Sequence, residues 1–247
     1  MRCMHEAQTH DKNMYVTLTY NDQHIPPGMN LAYKDFQLFM RRLRKTTKEK
    51  IRYYAAGEYG EKFERPHFHA ILFGIDMDDK LYKRKNQNGD TLYTSAKLDL
   101  LWKNGETTIG AVTFQSAAYV ARYVMKKITG DKATTHYTWL DEYGELHSRR
   151  PEFNQMSRRP GIGQRWYQQY KRDVYPADHV ITNGHPSKTP RYYDKQLKKE
   201  NPALLEALKK KRKERANESW QDNTQARLDV KEVVAAAKLD KLKRTLS

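Results

Sequence analysis

The chain has 247 residues, enough for one domain with a full-sized hydrophobic core and an additional tail. It carries 46 Lys and Arg against 30 Asp and Glu, and the formal net charge of +16 favours a polyanionic partner such as nucleic acid. The single cysteine, Cys3, excludes an internal disulfide, and no apolar run is long enough for a membrane span, so we expect a soluble protein in a reducing compartment.

Strand and helix patterns alternate over the first 75 residues. Residues 14–20 alternate β-branched and aromatic side chains and predict a strand. Residues 31–46 carry apolar side chains at helical spacing after Asn30, a candidate N-cap, and predict a helix. The runs 51–60 and 66–74 flank a short polar segment and predict an antiparallel hairpin.

The middle of the chain predicts an insertion followed by a further strand and helix. Residues 76–109 are polar and rich in turn residues, and we expect them to form a small hairpin and a short helix at the domain edge. Residues 109–114 predict a strand, and Ser116 is a candidate N-cap for a helix over 117–129. Together these patterns predict an α+β fold.

The last part of the chain changes character twice. Residues 131–190 are irregular in pattern and are expected to pack onto the core as an extension. Residues 191–215 are strongly basic, with leucines at helical spacing. The sequence therefore predicts one domain over 1–190 and a basic helical tail over 191–247.

Two histidines at alternate positions of one predicted strand suggest a metal site. His67 and His69 share a face of the strand about 6–7 Å apart at the backbone, while Phe68 points to the opposite face. Such spacing suits two ligands of one divalent ion, although two histidines also fall in one strand by chance.

A carboxylate on the neighbouring strand would complete the ligand set. Glu58 faces the histidines if the loop between the two strands has an even number of residues, and an odd loop without a bulge would turn it away. Glu61 and Glu64 are the alternatives in that case. No thiolate lies nearby, so the site favours Mg²⁺ or Mn²⁺.

Two tyrosines one helical turn apart form the second candidate constellation. Tyr119 and Tyr123 share one face of the predicted helix, and Lys126 and Lys127 extend the same side. Simple helix packing explains such a pair equally well in a chain with 17 tyrosines. A pair with similar spacing occurs at Tyr167 and Tyr170.

A metal ion facing two tyrosines supports one particular reaction, the cleavage of a phosphodiester by a phenolate nucleophile. The phenol has an ordinary pKa of about 10, so a lysine and a metal-bound phosphate must favour attack at neutral pH. Arg65 and Arg122 are candidate phosphate contacts, because arginine clamps phosphates but does not donate protons usefully. Arg158 and Arg159, beside a glycine-rich turn, are weaker candidates for the same role.

These residues resemble the HUH endonucleases that initiate rolling-circle replication, most closely the replication-associated proteins of gokushovirus-type microviruses. The resemblance covers most of residues 2–195. It rests on five segments in order: NMYVTLTYND, AAGEYGEKFERPHFHAILFG, SAAYVARYVMKK, MSRRPGIGQRWY and PRYYD.

The resemblance implies a ferredoxin- or RRM-like antiparallel sheet that nicks one strand at a replication origin in the cytoplasm of a bacterial host. The 5′-phosphate would stay on Tyr119 or Tyr123, with Lys126 or Lys127 assisting, and a free 3′-OH would remain until the strand is rejoined. Host helicase and polymerase are implied partners, with no membrane and no small-molecule cofactor. Relatives carry a cysteine-bearing segment upstream of the stretch similar to residues 2–10, so a preceding segment is also expected.

Two other functions fit the same residues. A relaxase or transposase of the HUH type would share the histidines and a tyrosine, although the two tyrosines and the downstream segments favour a replication initiator. A non-enzymatic basic protein would bind single-stranded DNA through cations and aromatic stacking, with the histidines as ordinary core residues.

Overall fold

The computed structural model describes residues 1–60, 63–140 and 143–240, with the backbone alone for residues 123–126, 139, 239 and 240. Its helices are α1 (Arg2–Ala7), α2 (Tyr33–Arg44), α3 (Ala96–Trp102), α4 (Phe114–Lys126), α5 (Lys132–Tyr137), α6 (Gln164–Val174), α7 (Arg191–Glu200), α8 (Pro202–Glu218) and α9 (Gln225–Asp240). Its strands are β1 (Asn13–Tyr20), β2 (Arg52–Tyr59), β3 (Pro66–Phe73), β4 (Leu81–Lys85), β5 (Thr91–Thr94), β6 (Gly105–Gly110), β7 (Thr138–Leu140), β8 (Leu146–Ser148), β9 (Phe153–Met156), β10 (His179–Thr182) and β11 (His185–Lys188). Among the described helices, none has the length and apolar character needed to cross a membrane.

Seven strands form one antiparallel sheet in the order β4-β5-β6-β1-β3-β2-β9. β1 and β2 both pair antiparallel with β3, so they run parallel to each other and are joined by the crossover helix α2. The four central strands, β6-β1-β3-β2, therefore have the order of a ferredoxin-like sheet. This arrangement confirms the predicted α+β class with an antiparallel sheet and packed helices.

Side-chain alternation gives the sheet two covered faces. On one face, Leu18 and Phe68 are fully buried beneath α2 and α3, and the indole nitrogen of Trp102 donates to the carbonyl of Thr19 at 3.0 Å. On the other face, Ile71 and the neighbouring strand residues pack against α1 and α4. The odd-numbered residues of β3 face α4, and these include both histidines of the predicted metal site.

The predicted strands agree closely with β1, β2 and β3, but the first helix starts later than predicted. α2 begins at Tyr33, and its N-cap residue, Ala32, makes no side-chain capping bond. Asn30 is not the cap, because its side-chain oxygen accepts a hydrogen bond from the backbone of Arg150 at 2.8 Å. A contact distant in sequence thus replaces the local one.

The predicted boundary between the strand over 109–114 and the helix over 117–129 was wrong. β6 ends at Gly110, and α4 spans Phe114–Lys126 because Thr113 is its N-cap. The Thr113 hydroxyl accepts from the backbone of Ser116 at 3.1 Å, while the Ser116 hydroxyl accepts from the backbone of Thr113 at 2.9 Å. Ser116 therefore completes a capping box from inside the helix.

The insertion over 76–109 holds the expected hairpin and short helix, and the hairpin lies at the sheet edge. Residues 131–190 are more regular than predicted, since β9 extends the main sheet beside β2. The described residues form two compact units that meet in sequence between Gly163 and Gln164. This boundary differs from the one predicted after residue 190, and the extent of the functional domain stays a prediction.

The second unit contains α6 to α9 and the β10-β11 hairpin, so its basic end is helical as predicted. Tyr167 is fully buried there, and its hydroxyl donates to Glu200 at 3.3 Å. Arg212 forms ion pairs with Asp194 at 2.7 Å and with Asp178. The Tyr167 and Tyr170 pair therefore belongs to the packing of this unit.

The N-terminal helix α1, which the sequence patterns did not indicate, is held by a buried carboxylate. Glu6 pairs with the buried guanidinium of Arg52 and accepts from the backbone of Gly163 at 2.6 Å. Burial raises the pKa of Glu6, but hydrogen bonds from His10, Gly163 and Arg52 outweigh it and lower the pKa below the usual value. Glu6 thereby ties α1 and the end of the first unit to the start of β2.

We expect Glu6→Gln to lower the free energy of unfolding by about 3–5 kcal/mol, because it leaves the buried Arg52 charge uncompensated. Since the folded-state pKa of Glu6 is depressed, its contribution is complete above about pH 4.5 and is lost as the pH falls through the lowered value. Urea unfolding at pH 7 and pH 3 measures both effects, with the exposed Glu49→Gln as control. Equal stability of the two variants at pH 7 would contradict this role.

Candidate metal centre

The pairing of β2 with β3 places the three predicted ligands on one face. Glu58 lies directly opposite His67, and Ala56 lies opposite His69. The last pair before the loop joins Tyr59 to Pro66, so the loop comprises the six residues 60–65. The even loop length that aligns Glu58 with the histidines is therefore confirmed.

The three side chains converge on one point. Glu58 Oε1 lies 2.8 Å from His67 Nε2 and 2.9 Å from His69 Nε2. Ligand atoms of all three residues lie within 4.8 Å of one another, and the two imidazole rings are nearly perpendicular. Glu58 and His69 are buried and His67 is half-buried, so the cluster opens on the His67 side. Two imidazoles and one carboxylate can bind a divalent ion and leave positions for a substrate.

Contacts behind the histidines fix their orientation. His67 Nδ1 lies 3.0 Å from the carbonyl of Arg65 and donates to it. His69 Nδ1 lies 2.6 Å from the Tyr15 hydroxyl and 3.0 Å from the Thr17 hydroxyl. A proton on each Nδ1 leaves the Nε2 lone pairs directed at the shared point, which is the arrangement that metal-binding histidines use.

Tyr15 and Thr17 were not identified from the sequence, which assigned this strand to packing and substrate support. The β1-β3 register sets Thr17 opposite His69, and Tyr15 is one pleat further along the same face. Strand alternation indicates that Tyr15 and Thr17 share a face. The register that brings that face to His69 is a pairing between distant segments, which local patterns do not specify.

Charge in the cluster is held by Glu58. Burial raises the pKa of this carboxyl, but the hydrogen bonds and charges of His67 and His69 outweigh it and lower the pKa to about 2. Burial also raises the pKa of Tyr15 well above its usual value. At neutral pH the cluster therefore offers an anionic oxygen donor, supported by a protonated phenol.

Tyr119 lies at this cluster. It is buried in α4, and its ring is edge-on to the His69 imidazole, with 5.1 Å between ring centres. The guanidinium carbon of Arg122 lies 5.9 Å from the centre of the Tyr119 ring. The side chains of Tyr123 and Lys126 lie outside the described residues, and Lys127 is exposed immediately after the helix.

The remaining predicted site residues lie at other positions. Glu64, an alternative ligand, instead pairs with Arg149 at 2.7 Å, and Glu61 lies outside the described residues. Arg65 donates to the carbonyl of Tyr20 at 2.8 Å and pairs with Asp22. Arg158 and Arg159 follow β9, which ends beside the start of β2, so they lie far from Glu58 along the strand.

A groove adjoins the cluster along the exposed part of the sheet. It has a volume of about 330 Å³ and begins at Thr17, whose hydroxyl contacts His69. Hydroxyl and cationic side chains dominate its lining: Thr17, Thr19, Thr108, Arg65, Lys83 and Arg84. We call it the sheet groove. These groups suit a phosphate backbone approaching the cluster.

We expect His67→Ala and His69→Ala each to weaken Mn²⁺ binding by about 100-fold or more, because each removes a ligand of the cluster. Tyr15→Phe, which removes a contact to His69 Nδ1, should weaken binding by about tenfold. Isothermal titration calorimetry on the full chain measures these affinities, with the exposed His24→Ala as control. Unchanged affinity in both ligand variants would exclude a metal site here.

Comparison with known proteins identifies the relationship of the chain. Residues 13–128 match a family model described as replication-associated protein of the ORF2 type. The chain is 33% identical over 211 residues to replication-associated protein VP4 of Bdellovibrio phage phiMH2K, covering 82% of this chain and 63% of that protein. It is 31% identical over 214 residues to replication-associated protein ORF2 of Spiroplasma virus 4, covering 81% and 63%.

A third relative, replication-associated protein ORF4 of Chlamydia phage 1, is 31% identical over 202 residues, which cover 78% of this chain and 48% of that protein. The chain thus spans about three fifths of the length of the first two relatives. No solved structure matches it. The resemblance seen in the five sequence segments is confirmed, and through residues 13–128 the chain belongs to the family of ORF2-type replication-associated proteins.

Proposed function

We propose that this chain initiates rolling-circle replication by nicking single-stranded origin DNA with a tyrosine and later rejoining the strand. The observation that carries the proposal is the contact between Tyr119 and His69, whose ring centres are 5.1 Å apart. A phenol thereby lies beside donors suited to a divalent ion, the two groups that tyrosine-mediated phosphodiester cleavage needs. Kinship with phage replication-associated proteins supports the replication setting.

Glu58, His67 and His69 would hold Mg²⁺ or Mn²⁺. Their oxygen and nitrogen donors fit these ions, whereas the thiol of Cys3 belongs to α1 and packs into the core, where burial raises its pKa to about 11. When bound, the ion supplies polarisation of the scissile phosphate and offsets its growing negative charge. The buried Glu58 and His69 keep the donors in place before DNA arrives.

Tyr119 is the proposed nucleophile. Its phenolic oxygen forms a bond to phosphorus as the bond from phosphorus to the 3′-oxygen breaks. The phenolic proton passes to solvent, and the departing oxygen takes up a proton to become the free 3′-OH. The 5′-phosphate stays on the tyrosine. Arg122 and either Lys126 or Lys127 offset the charge on the phenolate and phosphate, which a phenol of ordinary pKa near 10 requires at neutral pH.

Tyr123 is the proposed second nucleophile. It stands one helical turn after Tyr119 on α4, so both phenols emerge from the same side of the helix. Two nucleophiles allow one tyrosine to hold the first 5′-phosphate while the other cleaves the regenerated origin after one round. Attack of the new 3′-OH on the first phosphotyrosine then rejoins the strand and frees the tyrosine.

DNA contacts would come from arginines at several places. Arg122 lies beside the reacting phenol, and Arg65 lines the sheet groove that leads to the cluster. Arg158 and Arg159 would contact phosphates further from the reaction. Since the relatives are phage replication-associated proteins, the proposed setting is the cytoplasm of a bacterial host, with host helicase and polymerase as partners.

The decisive experiment incubates the full chain with labelled single-stranded oligonucleotides that tile its own replicon, in Mn²⁺ or EDTA. Denaturing gels detect cleavage, and mass spectrometry locates DNA on peptides. We expect a metal-dependent adduct on the peptide that contains residues 119–123. Cleavage without an adduct would indicate a hydrolytic nuclease, and binding without cleavage would indicate a non-enzymatic DNA-binding protein; either result would overturn the proposal.

We expect Tyr119→Phe and Tyr123→Phe each to retain part of the nicking activity, because the second phenol substitutes for the first, and the double variant to lose it. Gel assays under single-turnover conditions measure the rates. Tyr54→Phe is a matched control, because Tyr54 is a buried tyrosine on the same face of the sheet that contacts Asn154 at 3.0 Å. Full nicking by the double variant would exclude both tyrosines as nucleophiles.

A further inference from the structure

A second basic groove lies in the first unit at the end of the sheet away from the metal cluster. It has a volume of about 730 Å³ and is formed by the end of α2, the turn after it, the start of β2 and the segment after β9. We call it the distal groove. Its exposed cationic lining residues are Arg44, Lys48, Lys50, Arg158 and Arg159.

The two walls of the distal groove are tied together at its floor. The backbone nitrogen of Tyr53 donates to the Ser157 hydroxyl at 3.1 Å, and the backbone nitrogen of Ser157 donates to the Tyr53 carbonyl at 2.9 Å. Arg158 is further positioned by a hydrogen bond to Gln155 at 3.3 Å. The segment with Arg158 and Arg159 is therefore anchored to β2 next to the lysines after α2.

The cations of the distal groove differ from other surface cations in their ion pairing. Among the described residues, no ion pair involves Arg44, Lys48, Lys50 or the two arginines after β9, and Glu49 is the one acidic lining residue. Other basic residues of this unit do have partners: Lys80 with Asp76, Lys83 with Glu106, and Lys97 with Asp78. Like charges left together unpaired repel one another, and a bound polyanion relieves that repulsion.

The lining also indicates which kind of nucleic acid fits. Single strands are bound through aromatic faces on which bases stack. Within the described part of the chain, Tyr53 is the one aromatic lining residue, and its ring is covered by Arg44 at 5.8 Å and by the edge contact with Phe36 at 5.5 Å. The groove therefore offers cations and hydroxyls for phosphates rather than a platform for bases.

We propose that the distal groove binds the sugar-phosphate backbone of duplex DNA adjoining the nicked strand. This inference rests on the proposed function for its DNA substrate but concerns a separate surface. Tyr53 and Glu58 are five residues apart on β2, a distance of about 17 Å at roughly 3.3 Å per residue. That length equals the rise of about five base pairs, so one DNA molecule can reach both sites.

Binding in EDTA tests the proposal without any need for cleavage. Fluorescence anisotropy compares an origin single strand with the same strand carrying a duplex extension, over a range of salt concentrations. For Arg44→Gln/Lys48→Gln we expect the salt slope for the extended substrate to fall by about two, since each lost duplex phosphate contact removes about 0.9. The single-strand slope should match that of the control.

The control is Lys34→Gln/Lys132→Gln, which removes two exposed charges from the same unit outside the groove. Because Arg44 covers Tyr53, Lys48→Gln/Lys50→Gln serves as a second variant without an aromatic contact, and thermal unfolding verifies folding. Equal losses for both substrates, or no loss beyond the control, would overturn the proposal. The proposed nicking reaction is tested separately, by the covalent adduct.

Discussion

The register between β2 and β3 determines whether this chain has a metal centre at all. Glu58 opposes His67 across the pair, and a slip by one residue would turn the carboxylate to the face that α2 and α3 cover. That face is filled by Phe68 and its neighbours, so a slip would also expose large apolar side chains and bury the histidines among them. Hydrophobic burial on one face thus enforces the polar arrangement on the other.

The same coupling explains why the cluster is built on central strands. β3 lies between β1 and β2, so His69 receives Glu58 from one neighbour and Tyr15 and Thr17 from the other. Tyr119 approaches from a helix whose start is fixed by the Thr113 capping box. A nucleophile on a capped helix and donors on a paired sheet hold their separation better than groups on loops.

Local periodicity predicted much of this site but not its supports. Alternation over residues 66–74 and the even loop placed His67, His69 and Glu58 together, because both depend on neighbours in sequence. Tyr15 and Thr17, the strand β9 and the helix α1 depend instead on pairing between distant segments. Asn30 shows the same limit, since its local capping pattern lost to a contact with the backbone of Arg150.

The net charge of +16 predicted a polyanionic partner but could not locate it. Ion pairing distinguishes the surfaces: among the described residues, Arg65 and Lys83 of the sheet groove already contact carboxylates, whereas Arg44 and Lys48 of the distal groove do not. A paired cation gains less from an incoming phosphate, because it must give up or share its partner. The sheet groove therefore suits a substrate that must leave after the reaction, and the distal groove suits the DNA that stays bound while the strand is exchanged.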